Sequence, residues 1–237
     1  DPWRNHPSRA WDWYFHDFPV VPVDVGCSTH AHFDHDALHR LDAHVLLDRL
    51  IGMYRFGDLT IYGLADKHAI DSSCALYDFK KIHEKFHGTQ IDPPENPRSW
   101  DHCLIVVETG GLRIVHWGDN RHNPPDNIWD ALGHIDLALL PIDGSQHVMG
   151  HVHTQAIIDR LQPRIVIPHH YYIWDVLQRQ STLLPAEDWV ASQPVVERIE
   201  GPVRTYTPRS LDVSETAVHF FGEHVAFDKD AWFKNGR

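Results

Sequence analysis

The sequence predicts an α/β fold in which a β-sheet packs against helices. Five apolar or β-branched runs have the length of strands, at residues 58–64, 103–108, 112–118, 135–142 and 164–170. Segments with apolar residues at helical spacing lie between and after these runs. With 237 residues and 42% apolar content, the chain can bury one sizeable core. We therefore expect one domain over residues 1–237, of the α/β or sandwich class.

The first elements surround a histidine-rich segment. Residues 1–22 are rich in aromatic residues and proline, which predicts an irregular loop packed on the core. The stretch "VPVDVGCSTH" predicts a short buried strand, and "DALHRLDAHVL" predicts a helix that Asp36 would cap. The histidines between them are thus predicted to lie on a strand-to-helix turn.

A hairpin and three helices follow. The stretch "LIVVETGGLRIVHW" predicts two antiparallel strands that turn at Thr109-Gly110-Gly111. The helices are "NIWDALG", which ends at Gly133, "TQAIIDRLQ", which ends before Pro163, and "PAEDWVASQ", with Pro185 in the first turn.

Several predicted strands end at residues that commonly bind metals. These residues are His30 to His35, His68, Asp119, His169 and His170. Polar groups at successive strand ends converge on one rim of a sheet, where a rigid scaffold presents a site built from loops. We expect such a site here.

Charge limits the choice of partners. The chain has 21 Lys and Arg residues against 33 Asp and Glu, a formal net charge of -12, which repels phosphate backbones and anionic bilayers. It also lacks an apolar run of about 18 residues that could span a membrane. We expect a small-molecule substrate and neither nucleic acid nor membrane as a partner; a homo-oligomer stays open.

The cysteines indicate the compartment. Cys27, Cys74 and Cys103 are odd in number and lack C-x-x-C spacing, so we expect reduced thiols in the cytoplasm. The sequence starts at Asp1 and not at Met, so an earlier signal peptide stays an alternative.

The strongest local signal is "THAHFDHD", residues 29–36, in a chain with 21 histidines. With few cysteines, a metal site here must use imidazole and carboxylate ligands. In an extended segment His30, His32 and Asp34 point to one side, and the following turn brings His35 to join them. Four such ligands exceed the needs of one tetrahedral ion with an open water position, which favours two cations with a bridging carboxylate such as Asp119.

This segment resembles the H-x-H-x-D-H signature of the metallo-β-lactamase superfamily. The later stretches "GGLRIVHWGDN", "IDLALLPIDG" and "PRIVIPHHY" resemble the branch that contains ascorbate-phosphate lactonase and related metal-dependent hydrolases. The resemblance covers roughly residues 24–175 and implies an αββα sandwich of two mixed β-sheets flanked by helices, with metals at one edge. Family members open with a strand pair ahead of an Asp-Pro, and this chain begins at Asp1-Pro2, so we expect that pair to be missing.

The resemblance also implies a ligand set. It assigns His30 and His32 to one metal, Asp34 and His35 to the other, and Asp119 to both. The last ligand follows P-x in "PHHY", which favours His170 over His169. For the middle ligand we prefer His68, and three histidines remain as alternatives: His83, His87 and His102.

The implied function is a metal-dependent hydrolase that uses a hydroxide shared by two divalent cations, with Asp34 orienting it. His102 or Asp119 would protonate the leaving group. Zinc is the first expectation, with manganese or iron as alternatives. The expected substrate is a small, anionic or cyclic ester, either a lactone or a phosphodiester.

Three functions remain as alternatives to a metal-dependent hydrolase. They are a catalytically silent metal-binding protein of the same fold, a nuclease of the same superfamily, and a diiron oxygen-reducing enzyme. The nuclease fits the net charge poorly, and the diiron relatives carry glutamate where this chain has His32. We also expect His147, His151 and His153 in a solvated loop, with a substrate pocket or a stray ion as the alternative. For Arg121 we expect a surface salt bridge, with binding of a substrate anion as the alternative.

Overall fold

The structure is a computed structural model. It describes residues 1–5, 13–15, 17–32, 34–69, 101–145, 147–173, 176, 182–211 and 214–222. His83, His87 and Cys74 lie outside these residues.

The described part contains ten strands and three α-helices. The strands are β1 (Val21–Ser28), β2 (Leu41–Asp48), β3 (Gly52–Phe56), β4 (Leu59–Asp66), β5 (His102–Thr109), β6 (Leu112–His116), β7 (Leu137–Pro141), β8 (Ile165–His169), β9 (Val196–Arg198) and β10 (Ala217–Phe220). The helices are α1 (Asp126–Leu132), α2 (His151–Leu161) and α3 (Glu187–Ala191). Short 3-10 helices cover Leu38–Arg40 and Pro208–Leu211.

Eight strands form one mixed sheet, in the order β3-β4-β5-β6-β7-β8-β10-β9. The pairs from β3 to β6 are antiparallel, and the remaining pairs are parallel. The carboxyl ends of β4, β6, β7 and β8 therefore share one edge of the sheet with the start of β5. In the described residues, the second sheet is the parallel pair β1-β2.

Both faces of the eight-stranded sheet are covered, as the alternating side chains of strand β5 show. Leu104 and Val106 face the helical layer, where they join Trp129 of α1 and Ile157 of α2. Their neighbours on β5 face the other way and pack with residues of β1 and β2; these neighbours are Cys103 and Ile105. Successive side chains of a strand point to opposite faces, so β5 is buried on both. The prediction of an α/β sandwich is confirmed; in the described residues the large sheet is mixed and the second layer is the parallel pair β1-β2.

The predicted hairpin is confirmed as β5-β6. Thr109 pairs with Leu112, and the two residues between them, Gly110 and Gly111, have φ of +58° and +77°. A two-residue turn with positive φ at both positions matches the twist of the flanking strands, and glycine adopts it without steric cost.

The predicted helix after the histidine-rich segment is wrong. Only Leu38–Arg40 form a 3-10 helix, and Leu41–Asp48 form strand β2. Asp36 does not cap a helix, because its carboxylate accepts a hydrogen bond from Arg4 Nε at 3.1 Å. Apolar residues recur at every second position from Leu41 to Leu47, and pairing with β1 selects this strand periodicity over the helical one.

The three later helices are confirmed, with changed boundaries. Helix α1 ends at Leu132, directly before Gly133, and α2 begins earlier than predicted, at His151, and ends at Leu161. Helix α3 covers only Glu187–Ala191, so Pro185 precedes it. None of the helices in the described ranges is both long and apolar enough to cross a membrane.

Candidate metal centre

The metal-binding residue types meet at one edge of the eight-stranded sheet. His30 follows β1 and pairs in an isolated bridge with His102 at the start of β5. His68 follows β4 and bridges to Asn120, directly after Asp119. His170 follows β8.

Asp119 lies at the centre of this group. Its Oδ2 atom is 3.4 Å from Nε2 of His35, 3.4 Å from Nε2 of His68 and 3.8 Å from Nε2 of His30. Its Oδ1 atom is 3.6 Å from Nε2 of His170. The structure thus brings together residues that are up to 140 positions apart in the sequence, since His30 and His170 both face Asp119.

Asp119 is only 1% exposed, yet its carboxylate is ionised. Burial alone would raise its pKa, but His35, His170, a hydrogen bond with His68, and His30 hold the pKa well below its usual value. The centre therefore holds a fixed negative charge.

Two of the imidazoles in this group have lowered pKa values. Burial lowers the pKa of His30 well below its usual value, and burial together with His68 lowers the pKa of His32 to about 3. Nε2 of His30 and Nδ1 of His32 are 3.1 Å apart. Imidazole nitrogens that share one tetrahedral ion at about 2.0–2.1 Å lie roughly this far apart.

These residues fit divalent cations. Ligand atoms of His30, His32 and His68 lie within 4.8 Å of one another, as do those of His30, His35 and Asp119. Oδ1 of Asp119 is buried without a hydrogen-bond partner in the described part of the chain. A buried carboxylate surrounded by nitrogen lone pairs is costly without a cation, and nitrogen with oxygen donors suits zinc and similar metals.

A chain of hydrogen bonds orients His30. The hydroxyl of Thr29 donates to Oδ2 of Asp1 at 2.8 Å, and the backbone N–H of Thr29 donates to Oδ1 at 2.8 Å. Oγ1 of Thr29 has used its only proton, so it accepts from Nδ1 of His30 at 2.9 Å. This leaves Nε2 of His30 unprotonated toward Asp119, as a metal ligand requires.

Asp34 lies on the outer side of the centre. Its Oδ2 atom is 3.8 Å from Nε2 of His35. Burial opposes ionisation, but the His35 and His32 imidazoles hold the pKa of Asp34 below its usual value. Asp34 and His35 both face a cavity of about 330 Å³, which His170 and His147 also line.

His102 does not reach this cavity. It is fully buried, and its Nε2 accepts a hydrogen bond from the backbone N–H of Asp119 at 3.1 Å. Burial holds its pKa well below the usual value, so it is neutral. The structure therefore places His102 as a support for Asp119 and away from a leaving group.

His169, the last residue of β8, and His170, directly after it, face different neighbours. His170 faces Asp119, with a left-handed φ of +56°, whereas the ring of His169 lies 5.0 Å from that of His116. Arg121 is turned from the cavity, because its guanidinium pairs with the buried Asp66 at 2.6 Å. The expected salt bridge exists, although its acid partner is buried and not on the surface.

Sequence reasoning missed three residues at the site: Asp1, Tyr14 and His147. The His147 ring stacks on His170 with centroids 5.8 Å apart, contrary to the expected solvated loop. The position of His147 in the loop after β7 could have indicated its place at the site, because loops at the carboxyl ends of parallel strands often build such sites. Asp1 and Tyr14 gave no such signal, because their contacts are made only in the folded chain.

Comparisons with known proteins identify relatives of this chain. The family model described as "Beta-lactamase superfamily domain" matches residues 1–170. A UPF0173 metal-dependent hydrolase of Pelotomaculum thermopropionicum is 29% identical over 174 residues, covering 70% of this chain and 73% of the relative. One from Pyrococcus furiosus is 30% identical over 159 residues, covering 64% of this chain and 68% of the relative.

A solved structure gives the same fold. The Thermotoga maritima protein of the metallo-β-lactamase superfamily superposes with a TM-score of 0.58 at 21% identity, covering 86% of this chain and 84% of that one. The family model spans more than half of the chain. The alignment with the Pyrococcus relative, at 30% identity, covers more than two thirds of that relative's length. The chain therefore belongs to the metallo-β-lactamase superfamily and, within it, to the UPF0173 metal-dependent hydrolases.

Proposed function

We propose that the protein is a hydrolase that uses two divalent cations, with zinc as the first choice, to cleave a small ester, lactone or phosphodiester. The observation that carries this proposal is the ionised, buried carboxylate of Asp119 among four imidazoles, beside a cavity of substrate size. The names of the UPF0173 relatives support metal-dependent hydrolysis.

The two groups of ligand atoms support two cations. His30, His32 and His68 would hold one, and Asp34, His35 and His170 would hold the other, with Asp119 between them. When bound, such a pair of cations acidifies water near neutral pH and polarises the bond to be cleaved.

The chain's own side chains supply the orientation. The ionised carboxylate of Asp34 faces the cavity, where it can accept a proton from the attacking water and fix its direction. Leaving-group protonation falls to His147, which lines the same cavity, and not to the enclosed His102 or to Asp119, whose carboxylate is held ionised.

Net charge and cysteines bear on partners and compartment. The charge of -12 supports a small molecule over a nucleic acid as substrate. Cys27 and Cys103 are free thiols, which supports a reducing compartment, and we propose the cytoplasm.

The test compares two adjacent histidines. We expect purified protein to contain about two zinc equivalents by elemental analysis, and to hydrolyse either bis(p-nitrophenyl) phosphate or a simple lactone. His170→Gln should lower kcat/KM by about 100-fold or more and weaken the binding of one cation, because His170 faces Asp119.

His169→Gln is the matched control for metal content, since its ring packs on His116 and not against Asp119, although His169 also lines the cavity. It should keep both cations. Two bound ions without turnover of any ester, lactone or phosphodiester would favour the catalytically silent alternative.

A further inference from the structure

The cavity beside the metal centre has a polar and an apolar side. The polar side carries Asp34, His35 and His170. The apolar side combines described residues of the stretch 171–183 with three aromatic residues from the start of the chain: Trp3, Trp13 and Tyr14. We call these three residues the aromatic wall.

Asn5 fixes the aromatic wall in place. Its side-chain Oδ1 accepts hydrogen bonds from the backbone N–H groups of Trp13 at 2.9 Å and Tyr14 at 3.0 Å. Its Nδ2 donates to the carbonyl of Tyr14 at 3.1 Å. One half-buried amide side chain thus holds both residues by their backbone, which is how a loop is given a defined position over a site.

Ring contacts add to this hold. Trp3 stacks on Tyr14 with centroids 5.2 Å apart and planes at 25°, and Phe18 meets Trp3 edge-on at 4.7 Å. Trp13 reaches the other side of the cavity, where its ring lies 6.5 Å from that of His147. The wall therefore encloses space directly next to the residues that would carry out hydrolysis.

The charges around the cavity decide which substrate fits. No Lys or Arg is among the described residues that line it, and the acidic residues among them are Asp1 and Asp34. Arg121, the nearest candidate in the sequence, is held by Asp66. An anionic substituent far from the cations would find no positive partner here, whereas a ring would find aromatic surfaces.

We infer that the aromatic wall binds an apolar ring next to the bond that is cleaved, so that the substrate class is a neutral, ring-bearing ester or lactone. This inference rests on the proposed function for the position of the reacting bond. It also revises the expectation of an anionic substrate, because the described lining offers no cation except a metal.

The test measures binding and not turnover, so that its failure differs from failure of the proposed function. Zinc-loaded protein is titrated with phenylacetate and with acetate by calorimetry. Both are product-like carboxylates, and they differ only by the ring. We expect phenylacetate to bind about tenfold more tightly or better, since burial of a phenyl ring favours binding by at least that factor. Equal affinities would overturn the inference.

Variants then test whether the aromatic wall causes the preference for phenylacetate over acetate. Trp13→Ala should bring the ratio of the two affinities close to one, and Trp13→Phe should retain most of the preference. Asn5→Leu removes the three hydrogen bonds without touching the ligand and should act in the same direction. Tyr54→Ala, on the exposed strand β3, is the control and should leave the ratio unchanged.

Zinc content and circular dichroism of each variant show whether it is folded. If Trp13→Ala and Asn5→Leu are both folded and both retain the full preference, the wall does not bind the ring. If phenylacetate is preferred but no ester or lactone is hydrolysed, the proposed function and the substrate class fail, and only the binding of a ring by the aromatic wall stands.

Discussion

Single hydrogen bonds decide which nitrogen of a histidine is available to a metal. Thr29 links the carboxylate of Asp1 to Nδ1 of His30, at 2.8 Å and 2.9 Å. The same carboxylate lies 3.5 Å from Nδ1 of His35. Asp1 thus acts on two histidines that face Asp119 while lying outside the group of ligand atoms itself.

Thr29→Val tests this arrangement. Valine has the shape of threonine but cannot accept the N–H of His30, so the ring loses its orientation. We expect about a 10- to 100-fold weaker zinc affinity, measured by competition with a chromophoric chelator, with the fold retained. Thr60→Val, at a position on β4 remote from the centre, is the matched control. An unchanged affinity in Thr29→Val would show that packing alone orients His30.

At the scale of elements, the turn after β6 delivers Asp119 to the centre. Gly118 has a φ of +55°, and a Cβ atom built there would lie 2.8 Å from Nε2 of His102 and 2.9 Å from Oγ1 of Thr29. Both of these neighbours support residues of the centre. Glycine is therefore needed for backbone conformation and also for close approach.

Gly118→Ala separates these two needs when compared with Gly110→Ala. Gly110 has a similar φ of +58°, but nothing lies within 4 Å of its added Cβ. Each variant should lose about 1–2 kcal/mol from backbone strain, measured by urea unfolding. Only Gly118→Ala should also lose zinc and activity, because the clash displaces Asp119. Equal metal content in both variants would contradict this.

The elements also show what the sequence can predict. Strands with continuous apolar runs, such as β5, were predicted because burial on both faces leaves a local signature. Strand β2 was not predicted, because "DALHRLDAHVL" fits both the helical and the strand periodicity. Pairing with β1 selects the strand. Likewise, the sequence showed which residue types collect at strand ends. It could not show Tyr14 over the cavity, because Asn5 and Trp3 hold it there through contacts across the fold.

At the scale of the whole molecule, a group of buried neutral histidines makes stability depend on pH. Burial lowers the pKa of His32 to about 3 and holds those of His30 and His102 well below the ordinary value. In the unfolded chain each titrates near pH 6.5. As the pH falls below about 6.5 the unfolded chain binds protons that the folded chain does not, so the free energy of unfolding must decrease.

We expect the metal-free protein to lose stability from about pH 6.5 downward, at about 1.4 kcal/mol per pH unit for each such histidine. His102→Gln isolates one of them, because glutamine can still accept the N–H of Asp119 but does not titrate. Urea unfolding between pH 7.5 and 5 should show a slope that is smaller by about that amount in the variant. His44→Gln, at an exposed position on β2, should leave the slope unchanged. If the free energy of unfolding has the same pH slope in the wild type and in His102→Gln, His102 is protonated in the folded chain. Its assignment as a neutral support for Asp119 would then be wrong.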